Sequence, residues 1–188
     1  MKKFICLTLC LITALFFLTS CGEDEFDPDK YIGESLQSQF QVLVDANQDF
    51  YNNVFVLGHL PVDEKKTVEK DGKTFAPVTD SIYKTYDLLL NGLKGVYTED
   101  AVADILDNYD YYTDIDGKLY FNMEFDGAAK KGVKWERDPA EGQELEKKTE
   151  DSYTLEFGFV CGKKDEWDEF TFVRTDLGYR LTKLQYVT

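Results

Sequence analysis

Tyr153-Thr154-Leu155-Glu156-Phe157-Gly158-Phe159-Val160-Cys161 is the stretch that decides the fold class. Tyr153, Leu155, Phe157, Phe159 and Cys161 alternate with smaller or polar neighbours, and a period of two places all five on one face of a strand. Phe170, Phe172 and Arg174 alternate in the same way with Thr171 and Val173. Gly178 turns the chain into a last strand, Tyr179 to Tyr186. The C-terminal part therefore reads as antiparallel sheet with one buried face.

Working back along the chain, two more hairpins are marked by Asp-Gly pairs, which tolerate the positive φ angles of a two-residue turn. Lys70-Asp71-Gly72-Lys73 separates Thr67-Val68-Glu69 from Thr74-Phe75-Ala76, and Asp116-Gly117 separates Tyr111–Ile115 from Lys118–Phe121. Three stretches have helical period. Leu36, Phe40, Leu43, Phe50 and Val54 build one apolar face. Asp80 or Ser81 is expected to cap a second helix, with Ile82, Tyr86, Leu89, Leu90 and Leu93 inward. Thr98 is expected to cap a third, with Glu99 and Asp100 favoured by the dipole of its first turn. Helices early and antiparallel strands late predict an α+β domain, N-terminal helices packed against one curved antiparallel sheet.

Residues 1–20 read as an address. Lys2 and Lys3 precede the apolar run Phe4 to Leu18, which is shorter than the roughly 20 residues of a membrane span. Leu18-Thr19-Ser20-Cys21 resembles a bacterial lipobox, which implies cleavage before Cys21 and acylation of its thiol. Residues 21–33 follow as an acidic tether, and the single domain is expected over 34–188. Without the leader, 19 basic residues face 36 acidic ones, a net charge of −17. Such a surface repels phosphate and argues against nucleic-acid binding. The expected location is extracytoplasmic, on the membrane or outer surface, held by the lipid. Cys6 and Cys10 leave with the leader and Cys21 carries lipid, so Cys161 has no disulfide partner in the chain.

Catalytic signatures are sparse. His59 is the only histidine, placed by its neighbours near a strand end, and no short motif gives it an acidic or nucleophilic partner. A pairing of Cys161 with His59 is formally open, but no cysteine-peptidase signature surrounds either. Asp114, Asp116 and Gly117 match part of a calcium loop, yet the twelfth position is Met123 and a hairpin turn explains the same residues. The expectation is a protein without catalysis, metal or cofactor. One connection stands apart: Asp126-Gly127-Ala128-Ala129-Lys130-Lys131-Gly132-Val133-Lys134 is long for a hairpin and ends at Trp135. Loops on a rigid sheet are where binding residues gather.

Several further pieces fall in a telling order: Ile82-Tyr83-Lys84-Thr85-Tyr86, Tyr97-Thr98, Asp116-Gly117-Lys118-Leu119-Tyr120, Asp126-Gly127, Trp135, and Thr175-Asp176 before Gly178-Tyr179-Arg180-Leu181. Over residues 75–184 this pattern resembles the DL-endopeptidase inhibitor family (IseA-like) of secreted bacterial proteins. The resemblance implies an α+β fold and a loop that blocks cell-wall cysteine endopeptidases of the NlpC type. By position that loop is 126–133, so the implied partner-binding residues are Asp126, Gly127, Lys130, Lys131, Val133 and Trp135. The chain departs from the family in its lipid anchor and in the basic residues of its loop. Exposed tyrosines among Tyr109, Tyr111 and Tyr112 are further candidate contacts. The alternative is a small-molecule or glycan-binding lipoprotein whose concave sheet is lined by Tyr120, Phe157 and Trp167.

Overall fold

The computed structural model describes residues 32–125, 134–138 and 142–185. Cys21 and the loop residues Asp126, Gly127, Lys130, Lys131 and Val133 lie outside these. Helix α1 spans Glu34–Asp49 and continues as a π-helical turn over Phe50–Phe55. A hairpin follows, β1 (Val68–Lys70) and β2 (Lys73–Pro77). Helices α2 (Tyr86–Val96) and α3 (Glu99–Asn108) lead into β3 (Tyr112–Ile115) and β4 (Lys118–Asn122). Five strands complete the chain: β5 (Glu136–Arg137), β6 (Gln143–Lys148), β7 (Ser152–Cys161), β8 (Lys164–Thr175) and β9 (Gly178–Leu181).

The α+β class is as expected, but the strands divide into two antiparallel sheets instead of one. The first has the order β1-β2-β4-β3. In the second, β7, β8 and β9 follow one another, and β5 and β6 both pair with β7. Both Asp-Gly turns form. Asp71 and Gly72 have φ of 51° and 77°, Asp116 and Gly117 have 53° and 76°, so both central residues are left-handed as a type I′ turn requires. In the second of these Asp114 Oδ1 accepts from the Gly117 N–H at 3.1 Å, so the hairpin employs the carboxylate that had suggested calcium.

Alternation fixes which face of the second sheet is inside. Leu155, Phe157, Phe159, Phe170 and Phe172 are all at most 1% exposed. Phe40 of α1 stacks on Phe172 at 4.2 Å and meets Tyr179 edge-on at 5.3 Å, which seats the helix on this sheet. Each fully buried Phe contributes about 2–3 kcal/mol of transfer free energy. The last strand is shorter than expected, ending at Leu181 where the Thr98 N–H takes the Leu181 carbonyl at 2.9 Å. Ile32–Thr188 form one unit. Among the described residues no helix is long and apolar enough to cross a membrane.

The second helix starts later than Asp80 or Ser81. Asp80 Oδ1 does accept from the Ile82 and Tyr83 N–H groups, both at 2.8 Å, but no helix propagates from this turn. The Leu119 carbonyl holds the Val78 N–H and the Leu119 N–H donates to the Lys84 carbonyl, so β4 straps residues 78–84 along its edge. Thr85 caps α2 instead, accepting from the Leu88 N–H at 3.2 Å, and Ile82 is left 67% exposed. Thr98 caps α3 as expected, accepting from the Ala101 N–H.

Candidate functional site

The π-helical turn lies where α1 meets the rest of the domain. The Val56 N–H reaches back five residues to the Tyr51 carbonyl at 3.1 Å, and such turns often sit at functional sites. They widen the helix by one residue. Phe50, Val54 and Phe55 stay in the core, while Asp45, Gln48, Asp49, Asn52 and Asn53 share a polar side. Residues 134–137 lie across that side. Arg137 donates a two-pronged pair of bonds to Asp45, Nε to Oδ1 at 2.6 Å and Nη2 to Oδ2 at 3.1 Å. That carboxylate, more than any other contact, raises the guanidinium pKa above its ordinary value. Lys134 Nζ donates to Asn53 Oδ1 at 2.9 Å, and Asn52 Nδ2 reaches the Trp135 carbonyl at 3.4 Å.

Trp135 is only 7% exposed and belongs to the core cluster. Its ring is therefore an anchor for the strand that follows, not the surface contact that the family resemblance implies. The other end of the 126–133 connection is held as well. Phe125 meets Tyr111 edge-on at 4.4 Å and Phe121 at 5.4 Å. His59 stacks on Phe121 at 4.3 Å. Its Nδ1 lies 2.8 Å from the Leu60 carbonyl, which can only accept, so Nδ1 is the donor of this contact.

Between α1 and residues 134–137 lies a hollow of about 350 Å³. A second, of about 370 Å³, continues past His59 to Asp80 and Tyr83. The two share Asp49, Asn52, Asn53 and Lys134 in their walls. Tyr83 is positioned by Gly92, where a Cβ would come within 2.7 Å of its ring. Burial raises the Tyr83 phenol above its ordinary pKa, and the Asp49 and Asp80 carboxylates add to the shift. Gln48 is 8% exposed, lines the first hollow, and its Nε2 has no hydrogen-bond partner. A buried donor left so costs about 1–3 kcal/mol.

Other candidates separate. Residues 56–61 form no strand, so His59 sits in a loop against the first sheet, whereas Cys161 closes β7 in the second. The aromatic lining of the alternative reading does not assemble. Phe157 is on the core face, Trp167 pairs with Gly158 on the outer face, and Tyr120 belongs to the other sheet. Tyr112 is buried, its hydroxyl donating to the Val54 carbonyl and accepting from the Leu60 N–H, both at 2.9 Å. Tyr109 and Tyr111 are half-buried.

On the outer face of the second sheet, Glu144 and Glu169 flank Glu156 across the ladder. Among the described residues, Glu144, Glu146 and Glu156 bring one carboxylate oxygen each within 4.8 Å of the others, close enough to share a cation. The polar row on α1 was missed from sequence because spacings of three and four among polar residues read as a solvated helix face. The signal was its content: two acids and three amides, without one lysine.

No protein-family model matches this chain, and no curated protein matches it.

Proposed function

We propose that the chain is a lipid-anchored extracytoplasmic protein that restrains a cell-wall DL-endopeptidase of the NlpC type, without catalysis, by placing its 126–133 loop in the enzyme's cleft. The observation that carries this reading is the anchoring of both ends of that connection. Phe125 is set in an aromatic cluster, and Trp135 is buried with Lys134 and Arg137 bonded to α1. A loop sprung from two fixed ends loses less conformational entropy on binding, and preorganisation of this kind favours affinity. The net charge of −17 on the mature chain steers it toward a basic partner surface and away from anionic wall polymers.

The test is hydrolysis of wall peptides by an NlpC-type endopeptidase of the same organism, with and without the purified protein. Dose-dependent, near-stoichiometric loss of activity is expected. Replacing Lys130 and Lys131 by Ala should abolish it while leaving the melting temperature within about 1 °C. An enzyme that keeps full activity at stoichiometric protein ends the inhibitor reading.

A further inference from the structure

We infer that the hollow under Trp135 is a binding site for a neutral polyhydroxylated ligand, a single carbohydrate ring, gripped by Gln48 and Asp49. This goes beyond the endopeptidase reading: residues 134–137 serve both, as the anchor of the loop there and as one wall of the hollow here, but the ligand is held by α1.

The first observation is Gln48 itself, nine-tenths buried in the wall of the hollow, with a donor nitrogen that no acceptor meets. The neighbouring Asn47, also buried, has both its amide oxygen and its amide nitrogen bonded. The fold is thus able to satisfy an amide at this depth, and at Gln48 it does not. Nε2 itself is sealed from solvent, so a half turn of the side-chain amide is what brings the donor to the hollow, and no hydrogen bond of that side chain opposes the turn.

The second observation is the order of groups. Asp45, Gln48 and Asp49 share one side of the helix; Arg137 takes both oxygens of Asp45, and Asp49, whose Oδ1 holds the Asn53 amide at 2.8 Å, keeps Oδ2 as an acceptor beside an amide that donates. A hydroxyl both donates and accepts from a single atom. A ring bearing several hydroxyls therefore fits an interleaved row that an ion does not. An ammonium offers no lone pair to Gln48 Nε2. A phosphate or carboxylate meets Asp49 and Glu136 in the wall, and Arg137 is neutralised by Asp45, which leaves only Lys134, bonded to the neutral Asn53 amide, to attract it. The size agrees: about 350 Å³ is at the small end of ligand pockets, which run from about 300 to 1,000 Å³.

The experiment uses the full chain in a detergent without a sugar headgroup, isotopically labelled at nitrogen. Glucose, galactose and N-acetylglucosamine are titrated one at a time, with inorganic phosphate as the anionic arm. The expected result is a saturable shift of the Gln48 side-chain amide signal with one of the sugars, at a dissociation constant of about 1 mM. Gln48→Met, which keeps the volume and removes the unpartnered donor, should weaken that binding about tenfold with the melting temperature unchanged or raised. Asp49→Ala, on an exposed residue, should weaken it similarly in a fold that is not at risk. The inference is overturned if no sugar gives a saturable shift, if both variants bind as the parent does, or if phosphate shifts the signal instead. Endopeptidase inhibition is read separately, so either proposal can fail alone.

Discussion

Asn47 and Gln48 are adjacent on α1 and both are buried, yet they serve two different regions of the molecule. Asn47 sits in a knot that ties helix to helix and to the chain end. Its Oδ1 accepts from the Tyr97 hydroxyl and from the Gln185 N–H, both at 3.0 Å, and its Nδ2 donates to the Gln185 carbonyl at 2.9 Å. Burial also pushes the Tyr97 phenol well above its ordinary pKa, so it remains a donor at any physiological pH. Gln48, one residue on, lines a hollow and has a free donor. Both side chains carry the same functional group at nearly the same depth. The difference shows which buried polar groups hold the fold together and which are available to something else.

The comparison breaks most simply at Asn47. Asn47→Leu removes the partners of three buried groups at once and should lower unfolding free energy by about 3 kcal/mol, against no loss for Gln48→Met. For a domain of this size the melting temperature should fall by roughly 6–12 °C. Denaturant unfolding of the two variants beside the parent measures it. Equal losses at the two positions would mean that Gln48 is structural after all.

A second knot gives a smaller effect. The Tyr112 hydroxyl bridges the Val54 carbonyl and the Leu60 N–H, closing the loop that carries His59. Tyr112→Phe keeps the ring contacts with Phe55 and Phe121 and removes only the bridge. A loss of about 1–2 kcal/mol is expected. Hydrogen exchange at the Leu60 amide should quicken more than exchange in β8. Uniform quickening would show that the bridge stabilises the whole domain, not this loop.

These cases also show what was legible in the residues. The two Asp-Gly hairpins and the buried face of β7 follow from local chemistry, a positive φ and a period of two, and both appear as read. The start of α2 does not, because Asp80 makes a cap-like turn whose continuation is prevented by Leu119, a residue thirty-nine positions away in β4. The π-helical turn is hidden because one added residue per turn barely disturbs the spacing of Phe50, Val54 and Phe55. Trp135 reads as a loop-end aromatic, and only the core it enters makes it an anchor. The hollow is the least legible feature, since it exists only where residues 134–137 cross a helix face that by itself looks solvated.

The smallest effect tests the outer face of the second sheet, where like charges stand unresolved. Glu156 has its pKa raised above the ordinary carboxylate value, by desolvation first and then by Glu146, Glu169, Glu144 and Asp168. A raised carboxyl pKa in the folded state means that folding favours the protonated form. The corresponding penalty is absent at acid pH and appears as pH rises through the folded pKa. Glu156→Gln should therefore raise the melting temperature at pH 7 and leave it nearly unchanged at pH 4. The gain at pH 7 should fade in ~1 M salt, where the screening length is about 3 Å. Millimolar calcium offers the opposing control. If Glu144, Glu146 and Glu156 share a cation, the parent gains stability from calcium and the Gln variant does not. If calcium changes neither, the ladder is only repulsive, and the advantage of Glu156→Gln persists at every calcium concentration.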